Sequence, residues 1–173
     1  MHSAFLARVR TRTWERCGGE NGRKWTKVTL LDVSARYAST PLAKKLGVKE
    51  NHRLALLHAP TEWAVHDLAP GVVVVRRRSS VRANVVLAFF SDLATLQREV
   101  DSLARCIVAD GALWVVWPRR AGGHRSDITD SHVRDALLPL GLVDVKVAAL
   151  DDNWSGLKMV WRKELRAGHF EAP

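Results

Sequence analysis

Two unbroken apolar runs of strand length, Gly71–Val75 and Val85–Phe90, constrain this chain more than any other feature. A strand with one wet face alternates apolar and polar residues, whereas a continuous run rich in valine marks a strand covered on both faces. Strands of that kind belong to parallel sheets with helices packed above and below. The rest of the chain supplies those helices, because strand patterns alternate with helical ones, the order that builds right-handed β-α-β crossovers.

The expected elements follow in order. Thr40-Pro41-Leu42-Ala43-Lys44-Lys45-Leu46-Gly47 reads as a short lead-in helix, with Thr40 at the N-cap, Pro41 at the first helical position and Gly47 at the stop. His52–Leu57 is a strand, Thr61–Leu68 a short helix, and Val72–Val75 and Asn84–Phe90 buried strands. Asp92 caps a long amphipathic helix with Leu93, Leu96, Val100, Leu103 and Ile107 on its apolar stripe, ending at Asp110-Gly111. Ala112–Trp117 is the next strand, and Thr129 caps a helix over Asp130–Leu138 that Gly141 ends. Strands Leu142–Leu150 and Leu157–Arg162, joined by Asp151-Asp152-Asn153, are close enough to pair antiparallel. The eight residues Arg76–Ala83 are fewer than a helical crossover requires, yet extended they span roughly 26 Å, enough to cross the sheet without a helix. The parallel reading is kept there, with a hairpin as its alternative. The prediction is an open, mostly parallel, Rossmann-like α/β sheet of about six strands, with a terminal antiparallel strand and helices on both faces.

At 173 residues and 47% hydrophobic content, the chain has material for one domain with a substantial core. Residues 37–173 are assigned to it. Residues 1–36 carry eight Lys/Arg against three Asp/Glu, show no sustained periodicity, and are interrupted by Gly18-Gly19 and Asn21-Gly22. They are read as a basic, disordered or loosely attached arm, and initiation at Val28 or Val33 would leave most of it out of the native chain. The arm accounts for more than half of the net charge of +9, so the body is only mildly basic. No stretch approaches the about 20 apolar residues of a membrane span, and Met1–Arg16 has arginines where a secretory signal has an apolar block. A cytoplasmic protein is expected. Cys17 and Cys106 are expected to be free thiols, and the scattered histidines form no metal-ligand spacing, so no metal is predicted.

Four segments carry a resemblance: Tyr37–Gly47, Leu56-Leu57-His58-Ala59-Pro60, Gly111–Arg120, and Asp151-Asp152-Asn153-Trp154-Ser155-Gly156-Leu157. Together they resemble a bacterial family of small domains of unknown function, over about Tyr37 to Lys163. The order of elements is also similar to a shortened class I S-adenosylmethionine-dependent methyltransferase. The resemblance implies a Rossmann-like fold, with two departures. Where that superfamily has a glycine-rich turn after its first strand, this chain has His58-Ala59-Pro60-Thr61. Where an acidic residue ends the second strand and holds the ribose hydroxyls, this chain has Arg76 and Arg77. No cofactor is therefore predicted, with S-adenosylmethionine kept as an alternative.

Open parallel sheets bind ligands beyond the carboxyl ends of their strands, where loops diverge and helix N-termini point inward. That rule selects His58–Thr61, Phe90–Asp92, Trp117–Arg120 and Asp151–Ser155. Candidate ligand-binding residues are His58, Pro60, Arg119, Arg120, Asp152, Trp154 and Ser155. Arg119 and Arg120 suit a phosphate or carboxylate, or are simply solvated. His58 is an acid-base candidate against a structural role, and Trp154 a pocket wall against core packing. Asp151 and Asp152 read as turn formers, and Ser155 lacks a nucleophile-elbow context. Arg76, Arg77, Arg78 and Arg82 could contact a phosphate backbone, although no helix-turn-helix, zinc finger or aromatic RNA-binding strand accompanies them. Trp114 and Trp117 fall on opposite faces of their strand, so at least one is core.

Three functions compete. The leading one is a degenerate, non-catalytic methyltransferase-like domain that binds or regulates, with a small anionic ligand or a protein as partner. The others are an enzyme acting on an anionic small molecule or using S-adenosylmethionine, and a nucleic-acid-associated protein using the arginine run. No membrane partner is expected, and oligomeric state is not addressed by the sequence.

Overall fold

The computed structural model describes residues 40–120, 123 and 125–167, so the expected arm lies outside the described residues. Six strands form one sheet: β1 Arg53–Leu57, β2 Val73–Val75, β3 Ala83–Phe89, β4 Ile107–Pro118, β5 Leu142–Ala149 and β6 Trp154–Trp161. Their spatial order is β2-β1-β3-β4-β6-β5. β2, β1, β3 and β4 run parallel, and β6 is inserted antiparallel between β4 and β5. This is the open, mostly parallel Rossmann-like sheet that the continuous apolar runs predict.

Among the described residues four α-helices accompany it: α1 Leu42–Leu46, α2 Leu93–Ala104, α3 Asp130–Leu137 and α4 Lys163–Arg166. α2 and α3 cover one face, where Leu96, Leu103, Val133 and Leu137 pack on Val86, Leu113, Val115, Leu157 and Met159. α1 and the segment after β1 cover the other, where Leu46, Trp63 and Val65 pack on Leu54, Leu56, Val85, Leu87, Trp114 and Val116. Trp114 and Trp117 do lie on opposite faces, and both are buried. Fully buried Trp114 donates its indole N–H to the carbonyl of Leu46 at 3.1 Å. That carbonyl belongs to the last turn of α1, where no intrahelical partner exists. Gly47, at φ 85°, closes the helix by donating to Ala43 and Lys44.

Several expectations shift. Pro41 takes the N-cap of α1, and Thr40 lies outside the helix with no side-chain capping bond. Thr61–Leu68 is not helical: a single turn closes from the Trp63 N–H to the Pro60 carbonyl, and Asp67 adopts φ 55°. β2 is not a buried strand but an open edge, with Val73 50% and Val74 42% exposed. α2 stops at Ala104, and Ile107 already belongs to β4. Asp110-Gly111 marks a break in the β3–β4 register, which passes from Ala83↔Ile107 to Val85↔Ala112. Gly111 is required there because a Cβ would sit 2.9 Å from the Asn84 carbonyl and 3.0 Å from that of Val108. β6 starts three residues earlier than its apolar run suggests, at Trp154, opposite Pro118 of β4.

The helix-free connection after β2 crosses β1 and enters β3 parallel, so the hairpin alternative falls. The geometry allows it because β2 has only three residues, and the return path along it is short. Asp92 and Thr129 cap α2 and α3 as expected, accepting from the N–H groups of Thr95 (2.8 Å) and His132 (3.3 Å). α3 runs into a 3-10 turn, Leu138–Leu140, which Gly141 ends at φ 92°. No described helix is long and apolar enough to cross a membrane.

Candidate functional site

Because β1, β3 and β4 are parallel, their carboxyl ends meet at one rim, and antiparallel β6 starts at that same rim. All four selected loops therefore gather there. They do not form one pocket, because the sheet divides them.

On the α2 and α3 side lie two adjoining hollows that share Arg120 and Ser126. One, of about 340 Å³, is lined by Trp117, Arg119, Arg120, Thr129, Asp130 and Ser155 among others. The second, of about 480 Å³, opens between Arg120, Arg125 and the start of α2, with Ser91, Asp92 and Asp127 on its wall. The structure thus brings Arg119, Arg120 and Ser155 together. The carboxylates around them are already engaged. Asp127 accepts the Leu93 N–H at 2.9 Å and Asp92 that of Thr95, so both serve the N-terminus of α2. The Thr95 backbone bond holds the Asp92 carboxyl below its usual range. Asp130 is bonded to Arg134 at 2.6 Å, which lowers its pKa in the same way. Ser126 ties the loop down, donating to the Ser91 carbonyl and accepting from Ile128, both at 3.1 Å.

His58 stands apart from these hollows. It ends β1 at φ 56°, a left-handed conformation that histidine adopts more readily than most residues. Leu57 faces α2, and strand alternation would send the next side chain to the opposite face. The left-handed turn instead keeps the imidazole near Phe90, with ring centroids 5.5 Å apart, and its Nε2 2.9 Å from Glu99 Oε2 on α2. The same oxygen accepts from Arg78.

On the other side, the segment after β1 folds over the rim. Trp63 packs edge-on against Phe89 at 4.8 Å, and Phe89 against Trp154 at 5.0 Å. Asp151 is the hub: one oxygen accepts the Trp63 indole N–H at 2.7 Å, and the other the N–H groups of Asn153 (2.7 Å) and Trp154 (2.8 Å). Its carbonyl accepts from Arg119 at 2.9 Å. Asp151 is the turn former foreseen, whereas Asp152 is an exposed residue at the turn's tip. Arg76 donates to the carbonyls of Pro60 (3.2 Å) and Trp63 (2.5 Å), lashing the end of β2 to the segment after β1. Arg76 and Arg78 are thus each bound within the domain, while the Arg77 side chain is exposed.

Sequence reasoning missed Glu99, Asp127, Ser126 and Arg125. Glu99 is one polar residue on the wet side of an amphipathic helix, and only the three-dimensional path of the Arg76–Ala83 connection brings Arg78 to it. Asp127 had a faint signal, an acidic residue shortly before the Thr129 cap. Among the described residues no three His, Cys, Asp or Glu side chains converge as metal ligands do.

No protein-family model matches the chain, and no curated protein matches it. Among solved structures it is similar to a ribosomal protein L11 methylase from Lactobacillus delbrueckii subsp. bulgaricus, at 9% identity and TM-score 0.45, over 70% of this chain and 75% of that one. It is similar to a structure described as a DhpI–SAH complex, at 10% identity and TM-score 0.49, over 78% and 89%. A putative type 11 methyltransferase from Sulfolobus solfataricus is matched at 14% identity and TM-score 0.37, over 54% of this chain and 60% of that one.

The turn after β1 holds no glycine, no helix N-terminus follows it, and the end of β2 presents Arg76 rather than a carboxylate. The rim thus lacks, at these positions, the glycine turn and the ribose-binding acid of a Rossmann-like site for S-adenosylmethionine.

Proposed function

We propose that this protein is a non-catalytic binding domain built on a methyltransferase-like sheet, and that its ligand is a small anion held at Arg119 and Arg120. The observation that carries the reading is the self-closure of the rim at β1. Arg76, Trp63, Asp151, Phe89 and Trp154 fill the approach on one side, and the His58–Glu99–Arg78 cluster crosses it on the other. A nucleotide-like cofactor would have to displace these contacts. The hollows beside Arg120 support the binding part, since guanidinium forks match phosphate and carboxylate oxygens. Their carboxylates support the non-catalytic part: Asp92 and Asp130, already bonded and held below the usual pKa, are poor proton acceptors near neutral pH.

The test is calorimetric titration of the full chain with S-adenosylmethionine, S-adenosylhomocysteine and a set of phosphorylated and carboxylated metabolites. The expected result is no binding of the first two at millimolar concentration and binding of an anion that Arg120→Ala abolishes. Binding of S-adenosylhomocysteine, weakened by His58→Ala, would overturn the reading in favour of an enzyme.

A further inference from the structure

The α1 face of the sheet carries a row of residues that the rim does not use. Antiparallel pairing sets Trp114 of β4 opposite Lys158 of β6, and Lys158 opposite Lys146 of β5. The three therefore stand side by side across the sheet. Their face is fixed by two contacts: Lys146 Nζ lies 5.7 Å from the centroid of the Trp114 ring, and a Cβ on Gly47 would meet Lys158 Nζ at 3.3 Å. Like charges directly opposite on antiparallel strands are destabilising. Lys49, just after α1, adds a third ammonium and lines with Lys158 a hollow of about 190 Å³ whose other walls include Gly47, His52, Asn84 and Gly111.

Among the described residues no carboxylate pairs with this cluster, and its one favourable partner is the Trp114 ring face under Lys146. Every ion pair recorded among them involves arginine or histidine, and none involves these lysines. Asp110 is on the wall of the hollow but makes no ion pair with them. The half-buried Lys158 ammonium is held below its usual pKa by burial first, then by Lys146 and Lys49. The hollow is smaller than the about 300–1,000 Å³ of pockets that enclose a drug-sized ligand. Ammonium groups on flexible stems select charge density rather than the planar shape of a carboxylate.

We propose that Lys49, Lys146 and Lys158 form a binding site for a diphosphate group on the α1 face of the sheet, separate from the arginine hollows of the rim. The bound anion bridges the cross-strand pair and turns a repulsive arrangement into a cohesive one.

The experiment titrates the full chain with inorganic pyrophosphate, followed by calorimetry and thermal unfolding, with sodium sulfate at equal ionic strength as control. Pyrophosphate should raise Tm by several degrees at about 100 times its dissociation constant, and sulfate should raise it less. Affinity should fall at least tenfold in Lys158→Gln and in the exposed Lys146→Gln, and stay unchanged in Arg120→Gln. Without ligand, Lys146→Gln should be no less stable than the parent, since it removes a repulsion. No pyrophosphate binding, equal affinity in Lys146→Gln, or loss only in Arg120→Gln would overturn the proposal. So would tight binding of a thymidine oligonucleotide with none of pyrophosphate, which would assign the lysines to an extended polyanion.

Discussion

Replacing Trp114 with phenylalanine should destabilise the domain by about 3 kcal/mol and free α1 from the sheet. The indole is fully buried, so the space by which a benzyl ring falls short remains a cavity, costing roughly 1 kcal/mol at about 24 cal/mol per Å³. The lost apolar burial adds about 1 kcal/mol. The Leu46 carbonyl also loses the donor at 3.1 Å, and leaving a buried acceptor unsatisfied at the end of so short a helix, which water reaches by fraying, costs about 1 kcal/mol. In a domain of this size each kcal/mol lowers Tm by about 4 °C, so a fall of roughly 12 °C is expected in a calorimetric scan. A second effect should be local. α1 has five residues, too few to hold together without tertiary contacts. Its amides at Lys45, Gly47 and Val48, which bond to Pro41 and Ala43, should exchange with deuterium faster than the amides of α2. A Tm loss below about 4 °C, or unchanged protection in α1, would refute the assignment of Trp114 as the anchor.

Three further outcomes follow from the structure. Gly141→Ala should lower Tm by several degrees, because φ 92° costs a residue with a Cβ about 1–2 kcal/mol and that Cβ overlaps Leu165; chemical denaturation measures it. Asp92 and Asp130 have folded pKa values below the about 3.9 of an unfolded aspartate, so their contribution is present above that value and is lost as pH falls through the folded pKa. Denaturation midpoints should thus drop below about pH 4, and less steeply in an Asp92→Asn, Asp130→Asn double variant. Burial raises the Cys106 thiol pKa, so in a Cys17→Ser background a disulfide reagent should label it much more slowly in the native state than in denaturant.

Much of the fold was legible because its signals are local. Asp92 and Thr129 announce helix starts, Gly47 and Gly141 announce stops, and the unbroken apolar run of β3 announces a strand covered on both faces. The errors share a cause in that local patterns are shared between states. Thr61-Glu62 looks like a helix start, yet Trp63 and Val65 are both drawn into the core and the backbone follows them. Ile107 continues the helical stripe of α2 but is claimed by pairing with Ala83. β2 has the composition of a central strand and the position of an edge, and position is a property of the whole sheet. For the site, the carboxyl-end rule located the rim and gathered Arg119, Arg120 and Ser155. It could not foresee that Asp151, besides forming its turn, accepts the Trp63 indole N–H. Nor could it foresee Glu99 joining His58 to Arg78, because both depend on contacts between segments far apart in sequence.

The insertion of β6 between β4 and β5 also imposes an order of assembly. Among the described residues β5 has no neighbour in the sheet except β6, and β4 has none on that side except β6. When a nascent chain has emerged only as far as Leu150, one strand still lacks any partner, and the central strand β4 has a bare flank. β6, which follows β5 in the chain, fills an interior place and is joined to it by the four residues Leu150–Asn153. Closing so short a loop is fast, so the β5–β6 pair is poised to form first and dock onto β4 as a unit. A ribosome stalled before Trp161 has emerged would hold an incomplete sheet with the apolar flank of β4 exposed, a state on which chaperones act.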